Sequence, residues 1–271
     1  MKIDTLDTDG FVTLEYPQLL RNRVRDAMES WKNFCKISPE DKQRLSGGDR
    51  LRDFGYMRRN DQSAHADQKE LFHVSRNRVD ELGAKASGFL DNRASEFIHM
   101  IDLLLQESVP LIQTFAQEVE DRYQLSGFEK EVMNAQDNWT YRYLHYFGGG
   151  ALAHAHVDRG GFTLHLDESD GGGEYYDFDR QWHPWPVSEK QTIIFPSMGL
   201  QYRSGGKLKA LWHRVQPTLR TTLDGRYSMV AFIDFKQSHR YNDAVKRLQD
   251  FDPGFNYHMP LQEFNVLFVP R

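Results

Sequence analysis

The apolar positions in the first half of the chain recur mainly at helical spacing. A short alternating stretch at 10–17 favours a strand, and apolar residues three and four apart at 20–34 predict an amphipathic helix. "SPEDK" follows, where Ser38 precedes a proline and is expected to cap a further short helix. A longer helical pattern spans 88–123, and Pro110 predicts a kink within it or a break into two helices.

After residue 133 the pattern changes to short runs rich in Tyr, Phe, Thr, Ile and Val, separated by glycine-rich turns. Strands at such spacing predict a sandwich or barrel. We therefore expect one domain, mainly β with flanking helices. Its parts are a helix-rich region with short strands at 1–133, a barrel-like core at 134–240, and a C-terminal helix and tail at 241–271.

Composition and charge restrict the class of partner. The 271 residues carry a formal net charge of −5, whereas a nucleic-acid surface is usually basic. The single cysteine, Cys35, cannot form an internal disulfide, the first residues lack a secretory pattern, and no apolar run reaches the ~18 residues of a membrane helix. We expect a cytoplasmic protein with a small-molecule substrate, no nucleic-acid or membrane partner, and no obligatory protein partner.

The segment "AHAHVDRGGFT" places His156 and Asp158 two positions apart, so on a strand both side chains share one face. One such pair is common by chance on a solvated strand. His213, 55 residues beyond Asp158, completes a set of two histidines and one carboxylate. Three such ligands leave three octahedral positions open, which suits Fe(II) and oxygen activation, whereas a closed tetrahedral zinc site leaves no such room.

A second pair of polar residues lies thirteen residues beyond His213. Arg226 and Ser228 are again two apart and share a strand face. The planar guanidinium of an arginine binds a carboxylate with two parallel hydrogen bonds, and a neighbouring hydroxyl adds another. The pair is therefore suited to hold the distal carboxylate of a dicarboxylic acid whose other end chelates iron.

Four blocks, spread over 9–235, carry a family resemblance. They are "HVDRGGFTLHLDESDGGGEYYD", "LQYRSGGKLKALWHRV", "RYS", and an N-terminal pair, "DGFVTLEYP" with "DQKELFHV". Together they resemble the isopenicillin N synthase-like branch of the iron(II)- and 2-oxoglutarate-dependent dioxygenases, also called the iron/ascorbate oxidoreductase family. The resemblance implies a double-stranded β-helix, or jelly roll. It also implies that His156, Asp158 and His213 bind Fe(II) and that Arg226 and Ser228 bind 2-oxoglutarate.

The resemblance extends to a tyrosine that contacts the co-substrate in an Asn-Tyr-Tyr-Pro stretch of the family. "LHYF" aligns with that stretch, and Tyr146 matches the contacting tyrosine. Leu144 replaces the asparagine and Phe147 the proline, so the contacts on this side of the co-substrate depart from the family pattern.

The implied activity is an oxidation of a small molecule by O2, with 2-oxoglutarate converted to succinate and CO2 and ascorbate as a candidate reductant. Hydroxylation, desaturation and cyclisation share this chemistry. One alternative is a related Fe(II) oxidase that does not use 2-oxoglutarate and grips the substrate's own carboxylate with Arg226 and Ser228. A second alternative is a jelly roll that binds a small ligand without turnover.

Contacts to the substrate are the least specified part of the site. The segment "FGYMRRN" falls where family members often line the substrate entrance, so Arg52, Tyr56, Arg58 and Arg59 are candidates to receive an acidic substrate, with a solvated basic loop as the alternative. His154 shares a strand face with His156 and is a candidate substrate contact, with a solvated histidine as the alternative.

Overall fold

The computed structural model describes residues 1–47, 54–59, 68–147, 152–158, 160–179 and 181–235. The C-terminal helix expected at 241–271 lies outside these residues. The helices are α1 Thr5–Thr8, α2 Gln18–Cys35, α3 Pro39–Arg44, α4 Val79–Ala86, α5 Arg93–Tyr123, α6 Phe128–Asn134, α7 Met198–Arg203 and α8 Leu219–Asp224. The strands are β1 Val12–Glu15, β2 Gly55–Arg59, β3 Lys69–Val74, β4 Thr140–Tyr146, β5 Ala153–His156, β6 Phe162–Glu168, β7 Gly173–Tyr176, β8 Trp182–Pro184, β9 Gln191–Pro196, β10 His213–Val215 and β11 Arg226–Ile233.

The described strands form two antiparallel sheets. The larger sheet has the order β1-β9-β6-β11-β4-β3-β2, and the smaller has the order β5-β10-β7-β8. Strands β1, β2 and β3 come from the N-terminal region and complete the larger sheet, so both halves of the chain build one sheet. The mainly β fold of the jelly-roll type, with flanking helices, is confirmed. Within the ranges described, none of the helices combines the length and apolar character needed to cross a membrane.

Helices α2 and α5 pack against one another and cover one face of the larger sheet. The buried side chains of α2 follow the apolar pattern at 20–34, so this predicted helix is confirmed. Trp31 anchors it. The indole is fully buried, packs against Phe97 in a tilted arrangement with ring centroids 5.3 Å apart, and donates a hydrogen bond to the backbone oxygen of Leu144 at 3.1 Å. The predicted cap is also confirmed, because the Ser38 hydroxyl accepts the backbone N–H of Asp41.

Helix α5 shows how packing outweighs local propensity. Pro110 lies inside one continuous 31-residue helix rather than between two helices. A proline in a helix interior costs roughly 3 kcal/mol. The apolar stripe that continues past it, including Ile112, Phe115 and Val119, is fully buried and offsets that cost.

The opposite face of the larger sheet looks toward the smaller sheet. Side chains alternate along a strand, so even-numbered residues of β4 and β11 point to this inner face while odd-numbered neighbours such as Tyr141 and Tyr143 join the helix-covered core. A cavity of about 280 Å³ lies between the sheets. The residues predicted to bind the metal and the carboxylate line this cavity together.

Candidate metal centre

The two histidines and the aspartate predicted as metal ligands converge in the cavity. His156 ends β5 and pairs with His213 of β10 across the smaller sheet, and Asp158 follows two residues after β5. Nε2 of His156 lies 3.7 Å from Oδ1 of Asp158, and Nε2 of His213 lies 4.0 Å from Oδ2. One donor atom from each residue lies within 4.8 Å of the other two. A single ion can therefore contact all three.

Both imidazoles are oriented for metal binding by backbone carbonyls. Nδ1 of His156 lies 2.7 Å from the oxygen of His154, and Nδ1 of His213 lies 3.1 Å from the oxygen of Leu211. A carbonyl oxygen only accepts hydrogen bonds, so each Nδ1 carries the proton and each Nε2 presents its lone pair to the centre. Desolvation, reinforced by the neighbouring His213, lowers the pKa of His156 to about 4, so this imidazole is neutral at pH 7.

The carboxylate of Asp158 is held by a buried hydroxyl pair. Thr163 on β6 donates its hydroxyl to Oδ2 at 2.6 Å, and Ser197 lies 3.1 Å from the same threonine oxygen. The backbone oxygen of Asp158 accepts the N–H of Met198 at 3.0 Å, where α7 begins. These contacts fix both the chain position and the side-chain direction of Asp158.

The donor set fits Fe(II). Two neutral imidazole nitrogens and one carboxylate form the facial arrangement that non-haem iron oxygenases use, with the remaining coordination positions facing the cavity. Among the described residues, the cluster of candidate donors at this point comprises His156, Asp158 and His213 alone. The positions left open are therefore accessible to small molecules in the cavity.

The predicted arginine and serine lie on β11, on the floor of the same cavity. Arg226 is 1% exposed and Ser228 is 3% exposed, and both line the cavity wall. Nε of Arg226 donates to the backbone oxygens of Asp170 and Gly171 at 3.0 and 3.1 Å. The guanidinium is thereby held in one orientation.

A carboxylate that the sequence patterns did not single out also holds this arginine. Nη2 of Arg226 lies 2.5 Å from Oε2 of Glu168, which is placed opposite Ser228 by the β6–β11 pairing. The same oxygen accepts the indole N–H of Trp185 at 3.2 Å and lies 3.2 Å from Nε2 of His165. Burial opposes ionisation of Glu168, but His165 and Arg226 outweigh it, so the pKa of Glu168 is lowered and the carboxylate is charged at pH 7.

The other candidate contacts fall in different places. Tyr146 lines the cavity beside Arg226, as its predicted role requires, and His154 lines the cavity at an exposed position. Tyr56 lies in the core beneath α2, because strand alternation turns it to the helix side of β2. Arg58 is exposed and lies over the ring of Phe147. Arg52 is outside the described residues, and Arg59 is described only as part of β2.

Two basic residues that line the cavity were not predicted from the sequence. Lys69 on β3 and Arg142 on β4 both line the cavity. Arg142 donates from Nε to Nε2 of His73 at 2.6 Å and packs over Phe232. Arg142 alternates with Tyr141 and Tyr143, which was an available signal, whereas Lys69 lies between Gln68 and Glu70 and gave none. In both strands the inward face depends on sheet pairing that the sequence does not specify.

A second group of donor atoms lies on the helix side of the larger sheet. Cys35, Glu70 and His145 each offer an atom within 4.8 Å of the other two. Glu70 already accepts hydrogen bonds from Lys42 at 2.7 Å, Tyr56 at 2.8 Å and His145 at 2.8 Å. Burial raises the pKa of the Cys35 thiol, which disfavours the thiolate that metals bind. This cluster therefore joins α2 and α3 to the sheet as a buried ion-pair network.

The described core matches a known family by sequence. A family model of the 2OG-Fe(II) oxygenase superfamily matches residues 141–235. This span contains the candidate metal ligands His156, Asp158 and His213, together with Arg226 and Ser228. The predicted enzyme class and the predicted cofactors, Fe(II) and 2-oxoglutarate, are those of this superfamily and are confirmed at that level. The match does not distinguish the isopenicillin N synthase-like branch from other branches. No curated protein matches the sequence.

Solved structures share the fold at low sequence identity. A full-length protein of Neurospora crassa in complex with alpha-KG superposes with a TM-score of 0.73 at 17% identity, over 86% of this chain and 77% of that chain. The same protein in complex with alpha-KG and thymine gives a TM-score of 0.70 at 17% identity, and the match covers 86% of this chain and 78% of that chain. The dioxygenase for auxin oxidation 1 of Arabidopsis thaliana, in complex with 2-oxoglutarate, gives a TM-score of 0.69 at 17% identity. That match covers 87% of this chain and 86% of that chain. At these identities the likeness establishes the fold.

Proposed function

Because residues 141–235 form a domain of the 2OG-Fe(II) oxygenase superfamily, we propose that this protein is an Fe(II)- and 2-oxoglutarate-dependent oxygenase acting on a small molecule. It would couple oxidation of that molecule by O2 to conversion of 2-oxoglutarate into succinate and CO2. Hydroxylation, desaturation and cyclisation are all compatible with this site. The four motif blocks favour the isopenicillin N synthase-like branch.

One observation carries the proposal. The metal triad and the carboxylate-binding residues Arg226 and Ser228 open into the same cavity of about 280 Å³. A dicarboxylic 2-oxo acid would extend between the two ends of such a cavity. Its 2-oxo acid end would chelate the metal, and its distal carboxylate would bind the arginine. A protein that merely stores a ligand has no need of a metal triad with open positions.

Each part of the site has a defined task in this reaction. His156, Asp158 and His213 would hold the iron, which when bound supplies the activation of O2 and the oxidative decarboxylation of 2-oxoglutarate. Nη1 of Arg226 and the hydroxyl of Ser228 would bind the distal carboxylate, which orients the co-substrate in the cavity.

The apolar part of the cavity wall would exclude water. This part of the wall is lined by Trp185 and by three residues of the larger sheet, Phe195, Val230 and Phe232. An oxidising site needs such a dry wall, because water and nearby protein groups would otherwise react in place of the substrate.

Turnover in the absence of the natural substrate provides the test. The purified protein, supplied with Fe(II), ascorbate and 2-oxoglutarate, is expected to consume O2 slowly and to form an equal amount of succinate. Asp158→Ala should abolish both signals, whereas Asp137→Ala, at an exposed position, should leave them unchanged. O2 uptake that does not depend on 2-oxoglutarate would instead support the related oxidase that grips the substrate's own carboxylate. Ligand binding without any turnover would support the non-catalytic jelly roll.

A further inference from the structure

Three side chains form one row across the cavity floor. In the β3–β4 pairing Lys69 lies opposite Tyr146, and in the β4–β11 pairing Tyr146 lies opposite Arg226. All three line the cavity, so they project from the same face of the sheet. Neighbouring strands are about 4.8 Å apart, which places the Cα atoms of the two basic residues about 10 Å from one another. The ammonium of Lys69 lies 5.2 Å from the centre of the Tyr146 ring.

The positive charge of Arg226 is already balanced within the protein. Glu168 lies 2.5 Å from Nη2, and the side chains of this pair are 1% and 11% exposed. In such a buried setting the charges of the pair are weakly screened by water, so an incoming carboxylate experiences attraction to the guanidinium and repulsion from Glu168 together. The arginine alone therefore attracts a distal carboxylate less strongly than an arginine without a counter-ion would.

The hydrogen-bonding capacity of Arg226 is likewise partly used. Nε donates to two backbone oxygens and Nη2 to Glu168, whereas Nη1 has no protein acceptor among the residues described. One end of the guanidinium therefore remains for a ligand. The distal carboxylate carries one negative charge, which a further positive group at this end of the cavity would match because Glu168 already balances Arg226.

We propose that Lys69 binds the distal carboxylate of 2-oxoglutarate and supplies the positive charge that Glu168 neutralises on Arg226. This inference rests on the proposed function and adds a residue to its co-substrate site. The distal carboxylate would lie against Tyr146, between the ammonium of Lys69 and the guanidinium of Arg226. The site would then favour 2-oxo dicarboxylic acids over 2-oxo monocarboxylic acids.

Binding measurements on the Fe(II)-loaded protein without oxygen test this role directly. The dissociation constants of 2-oxoglutarate and of 2-oxobutyrate, which lacks the distal carboxylate, are measured by calorimetry for wild type and Lys69→Met. A hydrogen bond between charged groups corresponds to a loss of roughly 10- to 100-fold in affinity. We expect that loss for 2-oxoglutarate and no change for 2-oxobutyrate. Lys190→Met, at an exposed position, is the matched control and should bind both acids as wild type does.

A rescue experiment tests the charge argument. Glu168→Gln, added to Lys69→Met, removes the carboxylate that opposes the ligand and should recover part of the lost affinity for 2-oxoglutarate. Unchanged binding of 2-oxoglutarate by Lys69→Met would overturn the proposal while leaving the proposed function intact. Equal weakening of the binding of both acids would overturn the proposal as well, because a general structural defect would weaken both to the same extent. A wild-type protein that fails to bind 2-oxoglutarate would refute the proposed function itself.

Discussion

Thr163 is the residue on which the direction of the Asp158 carboxylate depends most. Its hydroxyl donates to Oδ2 of Asp158 at 2.6 Å, and the threonine is 1% exposed, so water has little access to replace it. Thr163→Val keeps the shape of the side chain and removes the donor. A hydrogen bond to a charged group contributes about 1.5–3 kcal/mol, and loss of a partner that orients a metal ligand lowers metal affinity by about 10- to 100-fold. We expect Fe(II) affinity to fall within that range.

The assay is an anaerobic competition between the protein and a chromophoric chelator for Fe(II), with thermal unfolding of the metal-free variant as a check on folding. Thr163→Ser retains the hydroxyl, so its Fe(II) affinity should stay within a few-fold of the wild-type value. If Thr163→Val binds Fe(II) as tightly as wild type, the carboxylate does not need the threonine, and our account of how the triad is oriented is wrong.

Three further changes test other parts of the structure. Glu70→Gln leaves a buried lysine unpaired and should lower the free energy of unfolding at pH 7 by about 3 kcal/mol. Hydrogen bonds outweigh burial and lower the pKa of Glu70 to about 2, below the ordinary value of about 4.3. The wild-type contribution is therefore present above about pH 4.3 and lost as pH falls toward 2. Urea titrations that show the same acid dependence in the variant would contradict this. Arg226→Lys should weaken 2-oxoglutarate binding by roughly tenfold or more, because an ammonium cannot replace the planar guanidinium, and unchanged calorimetric affinity would contradict the assignment. Gly173→Ala places a methyl 1.9 Å from the ring of Trp185, so it should cost roughly 1–3 kcal/mol of stability and alter tryptophan fluorescence. Gly171→Ala, with open space around it, is the control, and equal stability of the two variants would refute the packing argument.

The sequence predicted those features that depend on short-range spacing. The two-residue spacing of His156 and Asp158 indicated that their side chains lie together, although β5 ends at His156 and Asp158 follows it, and the helix at 20–34 follows from its apolar stripe. His213 completed the set of two histidines and one carboxylate, and the family resemblance implied the same three ligands; it lies far away in sequence but pairs with His156 across the smaller sheet. Local geometry together with a motif therefore singled out three side chains whose donor atoms lie within 4.8 Å of one another in the structure.

Features that depend on strand pairing could not be predicted in this way. Glu168 meets Arg226 because of the β6–β11 register, which shifts between Met229 and Val230. The two-residue period places Tyr56 on one side of β2 but does not say which side faces the cavity, and the helix side is the one observed. Lys69 reaches the cavity only because β3 joins the edge of β4. Each of these placements depends on which strands pair in the complete sheet and in which register.

The most direct test of the central claim is an anaerobic titration of the metal-free protein, first with Fe(II) and then with 2-oxoglutarate, followed by visible absorption. Chelation of iron by a 2-oxo acid produces a charge-transfer band. We predict that the band appears at one equivalent of each component for wild type, is absent in Asp158→Ala, and requires higher 2-oxoglutarate concentrations in Arg226→Lys. A protein that binds Fe(II) tightly but develops no band at saturating 2-oxoglutarate would contradict its assignment as a 2-oxoglutarate-dependent oxygenase.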